Sequence, residues 1–265
     1  MPALLLALLF SLFFPLHAQA MGKPDLLHPG FTFRARDCAE LTAGIPALQA
    51  ARIAKEPVPF FDEVLNVMNS QQDLLVLVDK AHALPETFVP PDLVRLSGYS
   101  VAVSRSGMKL RSVLMRDLLQ LSAASQAAGA ALVISSAYRS YATQQALFAA
   151  ELETKPRVEV EQDLAVPGHS QHQLGTAIDF GSIDTSFDDT AAGRWMRENA
   201  WRYGFSLSYP KGGDPITGYT WEPWHFRYVG RTAAVLIRDY FADSQQTFLA
   251  WYALKRQVLE DHRKH

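Results

Sequence analysis

The sequence has 265 residues, of which 48% are hydrophobic and 20% are charged. This composition is ordinary for a globular protein with a sizeable core, and the length allows one large domain with an N-terminal addition. The formal net charge is only −2 at pH 7, so we expect neither nucleic acid nor an anionic membrane surface as a partner. Cys38 is the single cysteine of the sequence, which excludes an intrachain disulfide.

Residues 1–20 have the pattern of a secretory signal peptide. An apolar run extends from Ala3 to Phe14, and the segment ends in the sequence AQA at residues 18–20. Small residues at this spacing before a cleavage point are typical of such signals. We therefore expect cleavage after Ala20, export to the periplasm or the cell exterior, and no membrane span in the mature chain. A buried N-terminal helix is the alternative interpretation.

Residues 21–70 predict an N-terminal extension that wraps around a main domain of residues 71–265. Prolines and glycines interrupt this extension and leave one short helix, over residues 47–55. At the start of the main domain, residues 73–84 contain a continuous apolar run, which is typical of a buried strand.

The rest of the main domain predicts a mixture of helices and strands. Residues 108–129 carry apolar residues at helical spacing, with Ser112 as the N-cap and Gly129 as the stop. Residues 206–218 are rich in glycine and proline and predict a loop that forms one wall of a cleft. The other predicted elements are a strand over residues 131–135 and helices over residues 141–153, 190–203, 232–241 and 245–260.

The most informative stretch lies between residues 167 and 230, because it holds two short segments rich in metal-ligand residue types. The first, PGHSQHQLGTAIDF, contains His172 and Asp179, and the second, GYTWEPWHFRYVG, contains Glu222 and His225. Two imidazoles and one carboxylate fill three positions of a tetrahedral zinc site and leave the fourth open. A remaining carboxylate, Glu222, is the residue type that a hydrolase uses as a general base.

Asp179 stands in a segment that predicts a short strand, residues 176–180. Period-two geometry places Asp179 on the face that carries Ala177, opposite Ile178 and Phe180. A carboxylate inside an apolar strand is costly unless it is paired or bound to a metal. The spacing of these residues in the sequence is compatible with two interpretations: a metal site, or histidines that only form structural hydrogen bonds.

Four motifs of the chain resemble, in matching order, the VanY-type zinc D-alanyl-D-alanine carboxypeptidases of the LAS group of zinc domains. One motif is S-x-H-x-x-G-x-A-x-D over residues 170–179, and another is E-P-W-H over residues 222–225. The others are SAYRS, which includes Arg139 and is followed by Gln144, and YGFSLSYP over residues 203–210. Together the resemblance covers residues 75 to 230.

This resemblance implies an α+β fold, in which a small antiparallel sheet carries the zinc site and helices flank it. It implies an exported enzyme that hydrolyses the terminal D-Ala-D-Ala bond of peptidoglycan stem peptides. It also assigns the site: one zinc ion on His172, Asp179 and His225, a general base at Glu222, oxyanion or substrate contact by Arg139, and further substrate contacts by Ser170, Gln144, Tyr209 and Trp224.

Three alternatives remain open from the sequence. Two of them are other activities of the same site, namely an L,D-carboxypeptidase and a peptidoglycan endopeptidase. The third is a zinc-containing domain that binds the cell wall without catalysis, which the presence of Glu222 and Arg139 disfavours. The family pattern has a basic residue before Tyr209, whereas this chain has Ser208, which leaves the preferred stem peptide open. We expect a monomer.

Overall fold

The computed structural model describes residues 25–70 and 72–264. The predicted signal peptide, with its cleavage point after Ala20, lies outside these ranges. Within them, no helix combines the length and the apolar composition that a membrane crossing requires. The fold is α+β, as the sequence indicates, with a central sheet of short strands and helices around it.

Ten α-helices occur in the described part of the chain, and three of them begin at a side-chain cap. Ser140, Thr190 and Ser244 each accept a hydrogen bond from the backbone N–H three residues ahead, which pairs an amide that a helix start leaves open. The helices are α1 (Cys38–Leu41), α2 (Ala47–Lys55), α3 (Pro57–Met68), α4 (Met115–Ala127), α5 (Tyr141–Leu152), α6 (Arg157–Asp163), α7 (Ala191–Asn199), α8 (Asp214–Thr217), α9 (Arg231–Tyr240) and α10 (Gln245–Asp261).

Seven short strands of the described chain form two sheets. They are β1 (Leu93–Arg95), β2 (Ala102–Val103), β3 (Lys109–Arg111), β4 (Val133–Ser136), β5 (Ala177–Phe180), β6 (Phe205–Leu207) and β7 (His225–Tyr228). β1 and β3 form a separate antiparallel pair, and the other five strands lie in the order β2-β4-β5-β7-β6. All neighbouring pairs of the larger sheet are antiparallel except β2 with β4.

The pairing of β5 with β7 brings residues from distant parts of the sequence together. Asp179 lies directly opposite His225 in the antiparallel register, and Ala177 lies opposite Arg227. Because side chains alternate between the two faces of a strand, all four point to the same side of the sheet. This register places a carboxylate and an imidazole next to each other at the centre of the sheet.

Two hydrophobic cores account for most of the buried apolar residues in the described chain. One fills the space between α4, α7 and the sheet face that carries Phe180 and Phe226. The other joins α2 and α3 to α9 and α10, around Phe61 and Trp251. The Trp251 indole also donates a hydrogen bond to a backbone carbonyl of α1 at 2.8 Å. The N-terminal segment and the C-terminal helices therefore share one core, while the domain boundary predicted at residue 70 stays a prediction.

The buried strand predicted within residues 73–84 is wrong. The chain forms a 3-10 turn over Gln72–Leu75 and continues outside any strand. The reason is the fully buried side chain of Arg227, whose Nη2 donates to the carbonyls of Leu74 and Val76, each at 2.8 Å. A guanidinium thus takes the acceptors that a neighbouring strand would use.

The helix predicted over residues 108–129 is shorter than expected, because its first part is β3. Arg111 of this strand forms ion pairs with Asp73 at 2.6 Å and Asp92 at 2.7 Å. Ser112 therefore opens a 3-10 turn ahead of α4, and its hydroxyl donates to Asp92 at 3.1 Å instead of capping the helix. These partners lie far away in the sequence, so local periodicity does not report them.

Most other predicted elements are confirmed, with ends that move by a residue or two. The helices predicted over residues 47–55, 141–153, 232–241 and 245–260 correspond to α2, α5, α9 and α10, and the strand predicted over residues 131–135 corresponds to β4. The helix predicted over residues 190–203 divides into α7 and a 3-10 turn, Ala200–Tyr203. The loop predicted over residues 206–218 includes the end of β6 and the short helix α8.

Candidate active site

Three residues with metal-binding side chains converge at the centre of the larger sheet. Donor atoms of His172, Asp179 and His225 all lie within 4.8 Å of one another, and all three residues are buried. Among residues 25–70 and 72–264, this is the one group of at least three His, Cys, Asp or Glu side chains that could hold a metal ion. The structure therefore brings together the three residues that the sequence singles out.

A short turn holds His172 against the start of β5. The turn is a 3-10 helix over Gln171–Leu174, and Ser170 caps it by accepting a hydrogen bond from the His172 N–H at 3.3 Å. Gly175 ends the turn with φ +68°, and a Cβ at this position would lie 2.9 Å from Leu93. Glycine suits this position because it adopts positive φ without strain and leaves room for the neighbouring side chain.

The two histidines face Asp179 through different ring nitrogens. The carbonyl of Ala137 lies 2.8 Å from His172 Nδ1, and because a carbonyl only accepts, the hydrogen stands on Nδ1. His172 Nε2 is then free to face Asp179 Oδ2 at 3.2 Å. On the other side, His225 presents Nδ1 to Asp179 Oδ1 at 2.9 Å.

Asp179 shows that these residues fit a divalent cation. Its Oδ1 is buried and, among the described residues, has no hydrogen-bond partner despite its closeness to His225. Burial opposes its charge, whereas the adjacent imidazoles, in their protonated form, hold the pKa of Asp179 well below its usual range. Burial also lowers the pKa of His172 and favours its neutral form, which is the form that binds metals. Two neutral imidazoles and one carboxylate are a donor set that suits Zn²⁺.

Glu222 lies beside this cluster without belonging to it. Its Oε2 is 3.5 Å from His225 Nδ1. Two backbone hydrogen bonds set its position: its N–H donates to Tyr209 and its carbonyl accepts from His225, each at 3.1 Å. Burial raises the pKa of Glu222 to about 7. A carboxylate that titrates near neutral pH is well suited to accept and release a proton.

Arg139 enters the site from the end of β4, and Gln144 holds it there. Arg139 Nη1 donates to Gln144 Oε1 at 2.9 Å, and Nη2 donates to Ser136 at 3.2 Å. Gln144 Nε2 in turn donates to the carbonyl of Ala165 at 2.6 Å. Burial lowers the pKa of Arg139, while the two site carboxylates act in the opposite direction. Gln144, predicted as a substrate contact, thus lies behind Arg139 and does not line the cleft.

These groups share one open cleft with a volume of about 630 Å³. Ser170, Tyr209 and Trp224 line it, and their predicted contact with substrate stays a prediction. The Tyr209 ring lies 4.9 Å from the His225 ring, centroid to centroid, and so packs against the candidate metal site. The predicted cleft wall within residues 206–218 is represented by Tyr209 alone.

Sequence reasoning missed several residues of the cleft. Asp163, Asp184, Tyr219 and Trp221 also line it. The aromatic residues around Glu222 were a visible signal for the last two, whereas nothing local to the acidic residues marked them as cleft residues. Tyr219 is buried, and the pKa of its hydroxyl is raised by that burial.

Ser208, which departs from the family pattern, does not face the cleft. Its side chain is buried, and its hydroxyl donates to Gln171 Oε1 at 2.7 Å. Gln171 in turn lies behind His225. The departure therefore changes the contacts behind a candidate metal ligand, and an effect on stem-peptide preference stays a prediction.

Comparison with known proteins agrees with this site. The family model for VanY, D-alanyl-D-alanine carboxypeptidase, matches residues 107–231, a range that contains every candidate site residue. YodJ of Bacillus subtilis (strain 168), a carboxypeptidase by name, is 36% identical over 182 residues, which are 66% of this chain and 67% of YodJ. The chain belongs to the VanY family. It spans between 53% and 67% of the length of the named relatives that it matches.

Two solved structures resemble the chain along most of their own length. The LD-carboxypeptidase LdcB has a TM-score of 0.62 and 34% identity, covering 67% of this chain and 86% of LdcB. The vancomycin-resistance D,D-pentapeptidase VanY, solved with Zn(II), has a TM-score of 0.55 and 30% identity, covering 67% of this chain and 99% of that one. As a VanY family member, the chain is a peptidase whose cofactor is zinc.

Proposed function

We propose that this VanY family peptidase removes the terminal D-alanine from peptidoglycan stem peptides that end in D-Ala-D-Ala. The observation that carries the proposal is the position of Glu222, whose carboxylate lies 3.5 Å from a candidate zinc ligand and lines the same cleft as Arg139. A purely structural zinc site needs neither a neighbouring base nor a positively charged side chain in an open cleft. A hydrolytic site needs both a proton acceptor and a group that stabilises negative charge.

His172, Asp179 and His225 are the proposed zinc ligands. Bound there, zinc supplies a Lewis acid for the scissile carbonyl and makes nearby water more acidic. The three ligands are buried and line the open cleft, so a substrate peptide can reach them from its open side. Tyr209 packs on His225 and limits the movement of that ring.

Glu222 is the proposed general base. It takes a proton from water as the water attacks the carbonyl carbon, and it delivers the proton to the departing amino group of D-alanine. A pKa of about 7 allows the same carboxyl group to act in both directions near neutral pH. Its backbone bonds to Tyr209 and His225 keep it at a constant distance from the ligand cluster.

Arg139 and Ser170 are the proposed contacts to the charged parts of the substrate. The Arg139 guanidinium is held by Gln144 and Ser136 and is preorganised to bind a carboxylate or a developing oxyanion. Ser170 lines the cleft beside His172, where its hydroxyl can donate to the terminal carboxylate. Trp224, half-buried in the cleft wall, offers an apolar surface for the methyl groups of the alanines.

The variant Glu222→Gln tests the assignment of the base. We expect it to bind zinc with wild-type stoichiometry and to lose turnover by at least about 100-fold, as positioned acid–base groups contribute factors of this order. The measurements are D-alanine release from a purified pentapeptide muropeptide and metal content of the purified variant. Turnover within threefold of wild type would remove Glu222 from the mechanism.

An L,D-carboxypeptidase is the second candidate, and the similarity to LdcB favours it. The two activities give different products from defined substrates: the first shortens a pentapeptide by one D-alanine, and the second shortens a tetrapeptide by one D-alanine. Mass spectrometry of both digests decides between them. Cleavage of the pentapeptide alone supports our proposal, whereas cleavage of the tetrapeptide alone overturns it, as does tight binding of both without hydrolysis.

We also propose that the enzyme acts outside the cytoplasmic membrane, where its substrate is located. The support is the apolar run and the AQA sequence at residues 18–20. N-terminal sequencing of the protein secreted or exported by a bacterial host tests this. A mature chain that starts at Met21 agrees with the proposal, and an intact N-terminus in an exported protein contradicts the cleavage point.

A further inference from the structure

A buried polar cluster lies directly behind His225, between the sheet and the first turn of α10. It consists of Gln171, Ser208 and Gln245, whose exposed fractions are 3%, 2% and 1%. Burying amides and hydroxyls is costly unless each group is hydrogen-bonded. Gln245 is the first residue of the C-terminal helix, which otherwise packs on the N-terminal segment. The polar cluster is therefore the place where this helix meets the active site.

The direction of each hydrogen bond in the polar cluster follows from one backbone carbonyl. Gln245 Nε2 donates to the Ser206 carbonyl at 3.1 Å, and that carbonyl is only an acceptor. Gln245 consequently presents Oε1 to Gln171, whose Nε2 donates to it at 3.3 Å. Gln171 must then present its own Oε1 on the other side, where the Ser208 hydroxyl donates to it at 2.7 Å.

The same Gln171 oxygen faces His225. Gln171 Oε1 lies 3.4 Å from His225 Nε2, so an acceptor stands where the ring needs to carry a hydrogen. A neutral imidazole with its hydrogen on Nε2 has its lone pair on Nδ1. Nδ1 is the nitrogen that faces Asp179, at 2.9 Å. The chain of bonds thus favours the ring form of His225 that can bind a metal on the side of the cleft.

We propose that Gln171 is a positioning residue for the zinc site, held in orientation by Gln245 and Ser208. It sets the ring orientation and the protonated nitrogen of His225 and thereby raises zinc affinity, as hydrogen-bond acceptors behind a metal-binding histidine do. For His172, the hydrogen-bond acceptor behind the ring is a backbone group, the carbonyl of Ala137. For His225, the acceptor is the Gln171 side chain, and through it the C-terminal helix contributes to the metal site. This inference rests on the proposed zinc ligands.

The test compares two replacements of Gln171 in the zinc-free protein, titrated with zinc against a competing chelator. Gln171→Met keeps the length of the side chain but removes the acceptor, and we expect zinc affinity to fall about 10- to 100-fold. Gln171→Glu keeps an acceptor for His225 and Ser208, so we expect it to stay within about threefold of wild type. Gln257→Met is the matched control, because Gln257 is exposed on the same helix as Gln245.

A second measurement distinguishes positioning from packing. In zinc-loaded protein with ¹⁵N-labelled histidine, we expect a slowly exchanging hydrogen on His225 Nε2, and we expect its loss in Gln171→Met. We also expect Gln245→Met to weaken zinc binding in the wild-type background but to add little in the Gln171→Met background, since both variants remove the same chain of bonds. If Gln171→Met does not fold, the same comparison of single and double variants is made with Gln245→Met and Ser208→Ala.

The outcomes separate this inference from the proposed function. Equal loss of affinity in Gln171→Met and Gln171→Glu, or additive effects of Gln171 and Gln245, means that the polar cluster only packs, and overturns the inference. Wild-type affinity in both Gln171 variants overturns it as well. Failure of the wild-type chain to bind one zinc ion would instead overturn the proposed ligand set itself.

Discussion

Replacing Glu222 by glutamine is expected to stabilise the zinc-free protein at pH 8, although it removes the proposed base. The Glu222 side chain is only 12% exposed, and its nearest ionic partner is His225 Nδ1 at 3.5 Å. Burial raises the pKa of Glu222 from 4.5 to about 7, because the site disfavours a charged carboxylate. Glutamine has almost the same shape and no charge, so it removes the source of this penalty.

The size and the pH window of this effect follow from the two pKa values. In the unfolded chain Glu222 ionises near pH 4.5, and in the folded chain near pH 7. The neutral Glu222 side chain therefore makes its full contribution to the free energy of unfolding below pH 4.5. This contribution decreases as the pH rises from 4.5 to 7, and it is absent above pH 7. The difference corresponds to about 3 kcal/mol. With roughly 2–4 °C per kcal/mol for a protein of this size, the melting temperature of Glu222→Gln should exceed that of wild type by roughly 6–12 °C at pH 8.

The assay is thermal unfolding of wild type and Glu222→Gln with a chelator present, at pH 4.5 and pH 8. We expect a large difference at pH 8 and a small one at pH 4.5, where the folded-state carboxyl group is neutral and the unfolded-state group is only about half ionised. Asp214→Asn is the matched control, since Asp214 is an exposed acid of the neighbouring helix α8. An equal difference at both pH values, or no difference at pH 8, would refute the reasoning that burial of this carboxylate costs stability.

Three further predictions address the other parts of the molecule. Arg139→Lys is expected to lower kcat/KM by about 100-fold or more, because lysine lacks the planar fork that Gln144 holds; steady-state kinetics measures this, and a loss below threefold contradicts the role. Phe61→Ala is expected to lower the free energy of unfolding by about 3–5 kcal/mol without changing zinc affinity, because Phe61 lies in the core away from the sheet; urea unfolding and zinc titration test the two statements. Zinc at 100 times its Kd is expected to stabilise the protein by about 2.7 kcal/mol, and His225→Ala should abolish this gain in thermal unfolding, so that persistence of the gain would remove His225 from the ligand set.

Local sequence patterns predicted the chemistry of the site better than its assembly. The alternation in residues 176–180 correctly placed Asp179 on one face of a strand. The resemblance to the VanY motifs, and not spacing, singled out His172 and His225 as the other members of the cluster. The strand β7 was not predicted, because four residues are too few for the alternation of His225 and Arg227 with Phe226 and Tyr228 to distinguish a strand from a loop. The opposition of Asp179 and His225 arises from pairing between distant strands, which no local pattern contains.

The errors in the fold have the same physical origin. Residues 73–84 have the apolar composition of a buried strand, but Arg227, far away in the sequence, takes their carbonyl groups. β3 was predicted as the start of a helix, and ion pairs from Arg111 hold it against β1. In both cases the partners of an arginine, fully buried at Arg227 and half-buried at Arg111, outweigh local preference, because leaving such a guanidinium unpaired would cost more than reshaping a short segment.

Gln171 and Gln245 show what sequence reasoning passes over. Neither residue type binds zinc or moves protons, so a search for chemically active side chains ignores them. Their significance comes only from burial and from the direction of their hydrogen bonds, which the folded chain defines. Ser208 drew notice as a departure from the family pattern, and the structure places it in the same polar cluster.

The most direct test of the account is release of D-alanine from a purified pentapeptide muropeptide by the mature protein, measured after metal removal and again after addition of zinc. We expect no release without metal, and release of one D-alanine per peptide once one zinc ion per chain is restored. Release that continues at the same rate in the metal-free protein would contradict a mechanism built on His172, Asp179 and His225.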